Sequence, residues 1–203
     1  VPSSSDPTAR QSWIAERRDA AVATFTAKIP GIYQASIELE PAVAKWAAGT
    51  ADCPSLFLTG PIGVGKTHSA WQATRQWVHA QFGADYRGTP VVENYRSTAL
   101  FDALRPDVHD NSGRALVKHL QKVDLLFIDD LAAARSSAWT QERLFEIFDE
   151  RYINRRPVII TCDVLPQALA EVVGDRVRSR LAEMCRGGVV LLEGADRRRG
   201  AAA

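Results

Sequence analysis

Five short runs dominate the pattern of this chain: Ser55–Thr59, Val91–Asn94, Leu125–Asp129, Val158–Cys162 and Val189–Leu192 are largely apolar on consecutive positions instead of alternating ones. A strand with one face in water alternates apolar and polar residues, so a continuous run implies cover on both faces. Helical patterns near 65–82, 97–105, 113–121, 139–153 and 164–185 fall between the runs. The alternation predicts an α/β chain with a five-stranded parallel sheet between helix layers, its ligand chemistry at the carboxyl ends of the strands. A length of 203 residues suits one such domain, and 46% hydrophobic residues suffice for its core.

Composition excludes several classes. With 25 Lys+Arg against 24 Asp+Glu, the net charge of +1 gives no bulk attraction to a polyanion. Split by segment, residues 174–199 carry +3 and the remainder −2, so the neutrality conceals a basic C-terminal stretch. Cys53, Cys162 and Cys185 are far apart and form no C-x-x-C pair, which suggests neither a disulfide framework nor a zinc site. The apolar runs are strand-length and the N-terminus lacks a signal-peptide pattern, so no membrane span or export is expected and a reducing, cytoplasmic setting fits.

The octapeptide Gly60-Pro61-Ile62-Gly63-Val64-Gly65-Lys66-Thr67 follows the first run and opens a helix, matching G-x-x-x-x-G-K-[ST]. Glycines let the backbone curl so that successive N–H groups point inward at phosphate oxygens, and the helix that follows adds its positive end. In this reading Lys66 reaches the β- and γ-phosphates of ATP, the Thr67 hydroxyl ligates Mg²⁺, and His68 completes the nucleotide-binding stretch.

Sixty-three residues beyond Lys66, the third run ends in Asp129-Asp130. A carboxylate on the strand beside a phosphate loop holds Mg²⁺ and the next acidic residue can polarise a water, so Asp129 is assigned to metal and Asp130 to general base. The fourth run ends in Thr161-Cys162-Asp163, which places Thr161 and Asp163 beside the γ-phosphate. In Asp175–Cys185 the residues Val177, Leu181 and Met184 form a core stripe, and Arg176 and Arg180 share another face. Spacing alone makes that arginine pair a solvated face.

The order of phosphate loop, Asp-Asp strand, Thr-x-Asp strand and Asp-Arg-Val-x-Ser-Arg-Leu helix resembles the AAA+ ATPases of the DnaC helicase-loader and IstB transposition-helper group, over residues 29–199. Less diagnostic pieces of the resemblance include Ile29-Pro30, the Leu144-Phe145 to Glu150-Arg151-Tyr152 helix and Gly194-Ala195-Asp196-Arg197. The resemblance implies a P-loop NTPase whose ATP site is completed between subunits. Arg180 would then be the arginine finger that reaches a neighbour's γ-phosphate, with Arg176 as a second contact. One departure stands out: the group places asparagine where this chain has Asp163, a second negative charge close to the phosphate. The group also implies single-stranded DNA contact through an insert that here carries Arg96, Arg105, Arg114, Lys118 and Lys122 among Tyr95 and Phe101; the alternative is that the aromatics pack inward and the basic residues are ordinary surface.

The expected organisation is an N-terminal arm at 1–28, disordered at its start and then helical, an ATPase domain at 29–199 and a tail at 200–203, with no separate C-terminal lid domain. Trp13, Ile14 and Phe25 of the arm either anchor a partner or fold back on the domain. The expected activity is slow, assembly-dependent ATP hydrolysis that loads or remodels a replicative helicase on single-stranded DNA, through self-association at the ATP site. A transposase-helper ATPase, and an assembly switch with little hydrolysis, are the alternatives; a small-molecule kinase fits less well, because no arginine-bearing lid insertion is present.

Overall fold

The strands form where the apolar runs lie: β1 (Leu56–Thr59), β2 (Val92–Arg96), β3 (Leu125–Asp129), β4 (Val158–Thr161) and β5 (Val189–Leu191). They make one five-stranded sheet in the order β2-β3-β4-β1-β5, and every pairing is parallel. The computed structural model describes residues 7–83, 86, 88–105, 112–133 and 135–196. Residues 1–6, and the expected C-terminal boundary with Arg197 and Arg199, lie outside the described residues.

Eight helices accompany the sheet among the described residues: α1 (Pro7–Lys28), α2 (Pro41–Ala47), α3 (Lys66–Ala80), α4 (Ser97–Ala103), α5 (Ser112–Lys122), α6 (Ala138–Ile153), α7 (Ala170–Val173) and α8 (Asp175–Met184). On one face of the sheet, Leu56, Leu58, Leu125, Phe127 and Ile159 pack with Phe25, Val43, Trp46, Trp71 and Trp77 of α1, α2 and α3. On the other face, Phe57, Leu126, Ile128, Val158 and Ile160 pack with buried residues of α4, α5, α6, α7 and α8. Alternate residues of β1, β3 and β4 thus enter different cores, while the edge strand β5 buries Val190 and leaves Val189 and Leu191 exposed. That is why the three central strands read as continuous apolar runs.

Helix α1 lies back on α3. Ala21 and Phe25 are buried, the Phe25 ring is 5.9 Å from that of Trp71, and Trp13 meets Tyr86 edge-on at 5.9 Å. Of the two readings of residues 10–28, the fold-back is the one the structure adopts. Helix α2 starts with Pro41 in its first turn, and the Glu40 carboxylate accepts from the N–H groups of Ala42 and Val43. The pattern at 164–185 is not one helix but three pieces: a 3₁₀ turn at Pro166–Leu169, then α7, then α8. Pro166 supplies no N–H to a preceding turn, and Gly174, at φ 84, separates α7 from α8.

At the end of the sheet away from the carboxyl edge, Arg151 of α6 is fully buried. Its guanidinium donates to the carbonyls of Leu120 (2.7 Å), Val123 (2.8 Å), Pro157 (2.5 Å) and Asp124 (3.5 Å), tying the exit of α5 to the entries of β3 and β4.

Candidate active site

The sheet register brings the proposed site together. Leu58 pairs with Thr161 and Ile128 with Ile160, so the carboxyl ends of β1, β4 and β3 lie level. The phosphate loop leaves β1 at Thr59, Asp129 ends β3, and Thr161 ends β4.

The loop is shaped by its glycines. Gly60 has φ 142, and a Cβ there would lie 2.2 Å from the Leu192 carbonyl oxygen; Gly63 has φ 83, and a Cβ there would lie 2.0 Å from Asp196 Oδ1. Only glycine allows this backbone and this proximity. Val64 is buried and anchors the loop, Ile62 stands exposed at its tip, and Gly65 at φ 101 leads into α3. The Lys66 ammonium folds onto the loop, donating to the carbonyls of Gly60 (2.7 Å) and Pro61 (2.9 Å).

A hydroxyl and carboxylate cluster faces this loop. Thr67 Oγ1 donates to Asp129 Oδ1 at 2.8 Å, and Thr161 Oγ1 donates to the same oxygen at 2.7 Å. The Asp130 N–H donates to Thr161 Oγ1 at 2.8 Å, and Ser97 Oγ donates to the Asp130 carbonyl at 2.5 Å. Asp130 is held at φ 56, a left-handed conformation uncommon for a residue with a side chain. Thr161, expected beside the γ-phosphate, turns its buried hydroxyl to the two aspartates. The strand-end position signals that Thr161 is near the site. Only the register shows which atoms it meets.

The other expected residues are distributed differently. Asp163 is exposed two positions beyond Thr161, its Oδ1 4.0 Å from the Cys162 thiol. His68 Nε2 donates to the Ala35 carbonyl at 2.7 Å, and with Gln72 on the Tyr33 carbonyl (2.6 Å) and Arg75 on Ser36 Oγ (3.0 Å) it straps residues 31–36 to α3. Sequence reasoning missed this strap, because nothing in the spacing of Gln72 and Arg75 signals a partner so far upstream. Arg176 and Arg180 of α8 dock on α6. The Arg176 guanidinium lies 3.7 Å over the Phe145 ring. Arg180 Nε donates to Asp149 Oδ1 at 2.6 Å, Nη1 meets Glu183 Oε2 at 3.3 Å, and the guanidinium lies 4.8 Å from the Tyr152 ring centroid. The bond to Asp149 raises the Arg180 guanidinium above its ordinary range.

Two further groups bear on function. Phe101 is buried and Tyr95 packs against the core, so these aromatics are not stacking platforms for bases; Arg96, Arg114, Lys118 and Lys122 are exposed, and Arg105 pairs with Asp102 at 3.2 Å. The three cysteines are free and buried, and burial pushes their thiols up, away from the nucleophilic thiolate form. No helix among the described residues is long and apolar enough to cross a membrane.

The donor set fits Mg-ATP. A glycine-shaped loop at a helix N-terminus with an ammonium at its mouth suits phosphate, while a threonine hydroxyl bonded to a carboxylate offers the hard oxygen ligands Mg²⁺ prefers.

Sheet order, phosphate loop and acidic strand end together define a P-loop NTPase of the AAA+ class. Residues 24–187 match the family model of the bacterial DnaA ATPase domain, and the chain belongs to that family. It is similar to domain III of the Thermotoga maritima replication initiation protein DnaA, with 28% identity and a TM-score of 0.62 over 76% of this chain and 61% of that one. It is also similar to a replication initiator DnaA bound to AMPPCP and single-stranded DNA, with 26% identity and a TM-score of 0.59 over 75% of this chain and 45% of that one. A DnaC helicase loader, 20% identical, shares the fold with a TM-score of 0.55 over 89% of this chain and 90% of that one. The AAA+ resemblance is therefore borne out: the chain is similar to DnaA replication initiators and shares its fold with the DnaC helicase loader. It spans less than half the length of the first replication-initiation chains it matches.

Proposed function

We propose that this chain binds Mg-ATP in the cradle from Gly60 to Thr67 and hydrolyses it slowly, at a site that a second copy completes, in order to load or remodel a replicative helicase on single-stranded DNA. The observation that carries the reading is the 2.8 Å bond from Thr67 to Asp129, which joins the phosphate loop to an acidic strand end 62 residues away. Lys66 would exchange its two carbonyl partners for phosphate oxygens, at small cost because an ammonium can redirect its donors by rotation. Mg²⁺, held by Thr67 and Asp129, would supply neutralisation of the phosphate charge. Asp130, kept at a fixed backbone position by Ser97 and Thr161, is the candidate base for the attacking water. Arg180 is the candidate finger, and a finger supplied in trans is worth roughly 10³–10⁵ in rate.

The DnaA relative bound to AMPPCP and single-stranded DNA supports both ligands here. The test measures ATP turnover across protein concentration, with and without single-stranded DNA and a replicative helicase, while oligomeric state is followed in parallel. Nucleotide binding with turnover that rises faster than protein concentration is expected; no nucleotide binding at any concentration would sink the reading. An assembly switch with little hydrolysis is a second reading. It is favoured by Arg180 being engaged within its own chain by Asp149 and Glu183. Nucleotide-dependent assembly without turnover would select it.

A further inference from the structure

We infer that Thr161 is a positioning residue for the two aspartates, setting the orientation of the Asp129 carboxylate toward Mg²⁺ and the placement of Asp130, and that it does not itself sense the γ-phosphate. The inference rests on the nucleotide reading above and adds a residue role to it.

A threonine hydroxyl has one hydrogen to donate and two lone pairs to accept with. Thr161 spends its hydrogen on Asp129 Oδ1 and accepts from the Asp130 N–H, at 2.7 and 2.8 Å. Its residue is 1% exposed, so the hydroxyl has no solvent path to a phosphate without breaking both bonds. Asp129 Oδ1 also accepts from Thr67, which leaves the other carboxylate oxygen outside both bonds. Two hydroxyls on one oxygen fix the plane of the carboxylate and so the direction in which the second oxygen points. Partners that orient a metal-binding carboxylate in this way typically control metal affinity or activity by roughly 10–100-fold.

The same hydroxyl governs Asp130. A residue with a side chain at φ 56 persists only where its surroundings over-determine it. Here the surroundings are the Thr161 hydroxyl on the Asp130 N–H, Ser97 on the Asp130 carbonyl, and the Thr161 carbonyl accepting from the Leu131 N–H at 2.9 Å. Thr161 therefore holds the turn with its backbone and its side chain, and only the side-chain part can be removed by substitution.

Thr161→Val keeps the shape and removes the hydroxyl; Thr161→Ser keeps the hydroxyl and removes a methyl. Both are compared with the wild-type full chain by binding of a fluorescent ATP analogue in EDTA, by the Mg²⁺ concentration at half-maximal tightening of that binding, and by turnover. For Thr161→Val we expect affinity in EDTA within about two-fold of wild type, a Mg²⁺ midpoint raised roughly 10-fold or more, and turnover lowered roughly 10–100-fold; Thr161→Ser should recover the Mg²⁺ midpoint. A Thr161→Val protein with the wild-type Mg²⁺ midpoint overturns the inference. Equal losses in both variants, together with lost affinity in EDTA, also overturn it, because the role would then be packing. Failure of the wild-type chain to bind the analogue would instead defeat the nucleotide reading itself.

Discussion

Replacing Arg151 by methionine is the sharpest test of how the sheet is held at the end remote from the nucleotide. Burial lowers the guanidinium from its ordinary range to about 9, so at pH 7 it is charged although fully buried. It stays because four carbonyls accept from it, three of them at 2.8 Å or less. Methionine fills much of the stem volume but leaves the Leu120, Val123 and Pro157 carbonyls without that donor. Hydrogen bonds to a charged group are worth about 1.5–3 kcal/mol each, and because the three share one group and methionine also relieves its desolvation, a net loss of about 4 kcal/mol is expected. That is a large part of the 5–15 kcal/mol typical of a domain, and at about 2–4 °C per kcal/mol it lowers Tm by roughly 10 °C. Urea unfolding followed by tryptophan fluorescence measures it, with a lower midpoint and an unchanged slope. The folded pKa lies below the unfolded one, so both states hold the proton below about pH 9, and the deficit should be flat from pH 6 to 8. Above that the unfolded state holds more protons, and the wild type gains stability from this group as pH rises. Because Arg151 sits at the amino ends of β3 and β4, nucleotide affinity of the folded variant should stay within about two-fold. A loss below about 1 kcal/mol would refute the reasoning, since the carbonyls would then have found other donors.

The remaining predictions concern the site. Arg180→Ala should leave nucleotide affinity nearly intact and remove the dependence of turnover on protein concentration. Asp149→Asn, which releases Arg180 from its 2.6 Å partner, should move the onset of turnover to lower protein concentration; a move to higher concentration would show that Asp149 aims the arginine. Gly63→Ala forces a side chain onto φ 83 and against Asp196, and should weaken binding of a fluorescent ATP analogue roughly 10-fold or more, an outcome that unchanged affinity would exclude. If the exposed Lys118 and Lys122 each neutralise one phosphate of single-stranded DNA, their joint replacement by glutamine should reduce the slope of log affinity against log salt by about 1.4. An unchanged slope would remove that surface from consideration.

Much of the architecture is legible without a structure. Continuous apolar runs point to strands covered on both faces, which holds for β1, β3 and β4 and not for the edge strand β5, and the glycine-lysine-threonine loop can only do its work between a strand and a helix, so Gly60 to Thr67 and Asp129 could be singled out from residue type and spacing. The break at Gly174 was less visible, because Leu169, Val173, Val177 and Leu181 keep a four-residue helical spacing across it. The inward turn of Tyr95 and Phe101 was likewise a choice between two readings until the core was seen.

The amino-acid sequence by itself determined the fold class, the phosphate cradle and the identity of the acidic strand end, because each depends on local periodicity or on residues adjacent in the chain. Only the tertiary structure decided the bonds among Thr67, Asp129, Asp130 and Thr161, the docking of Arg180 on Asp149, and the return of α1 onto α3. These contacts join residues tens of positions apart. Their partners are selected by strand register and helix packing, which no short stretch of sequence carries.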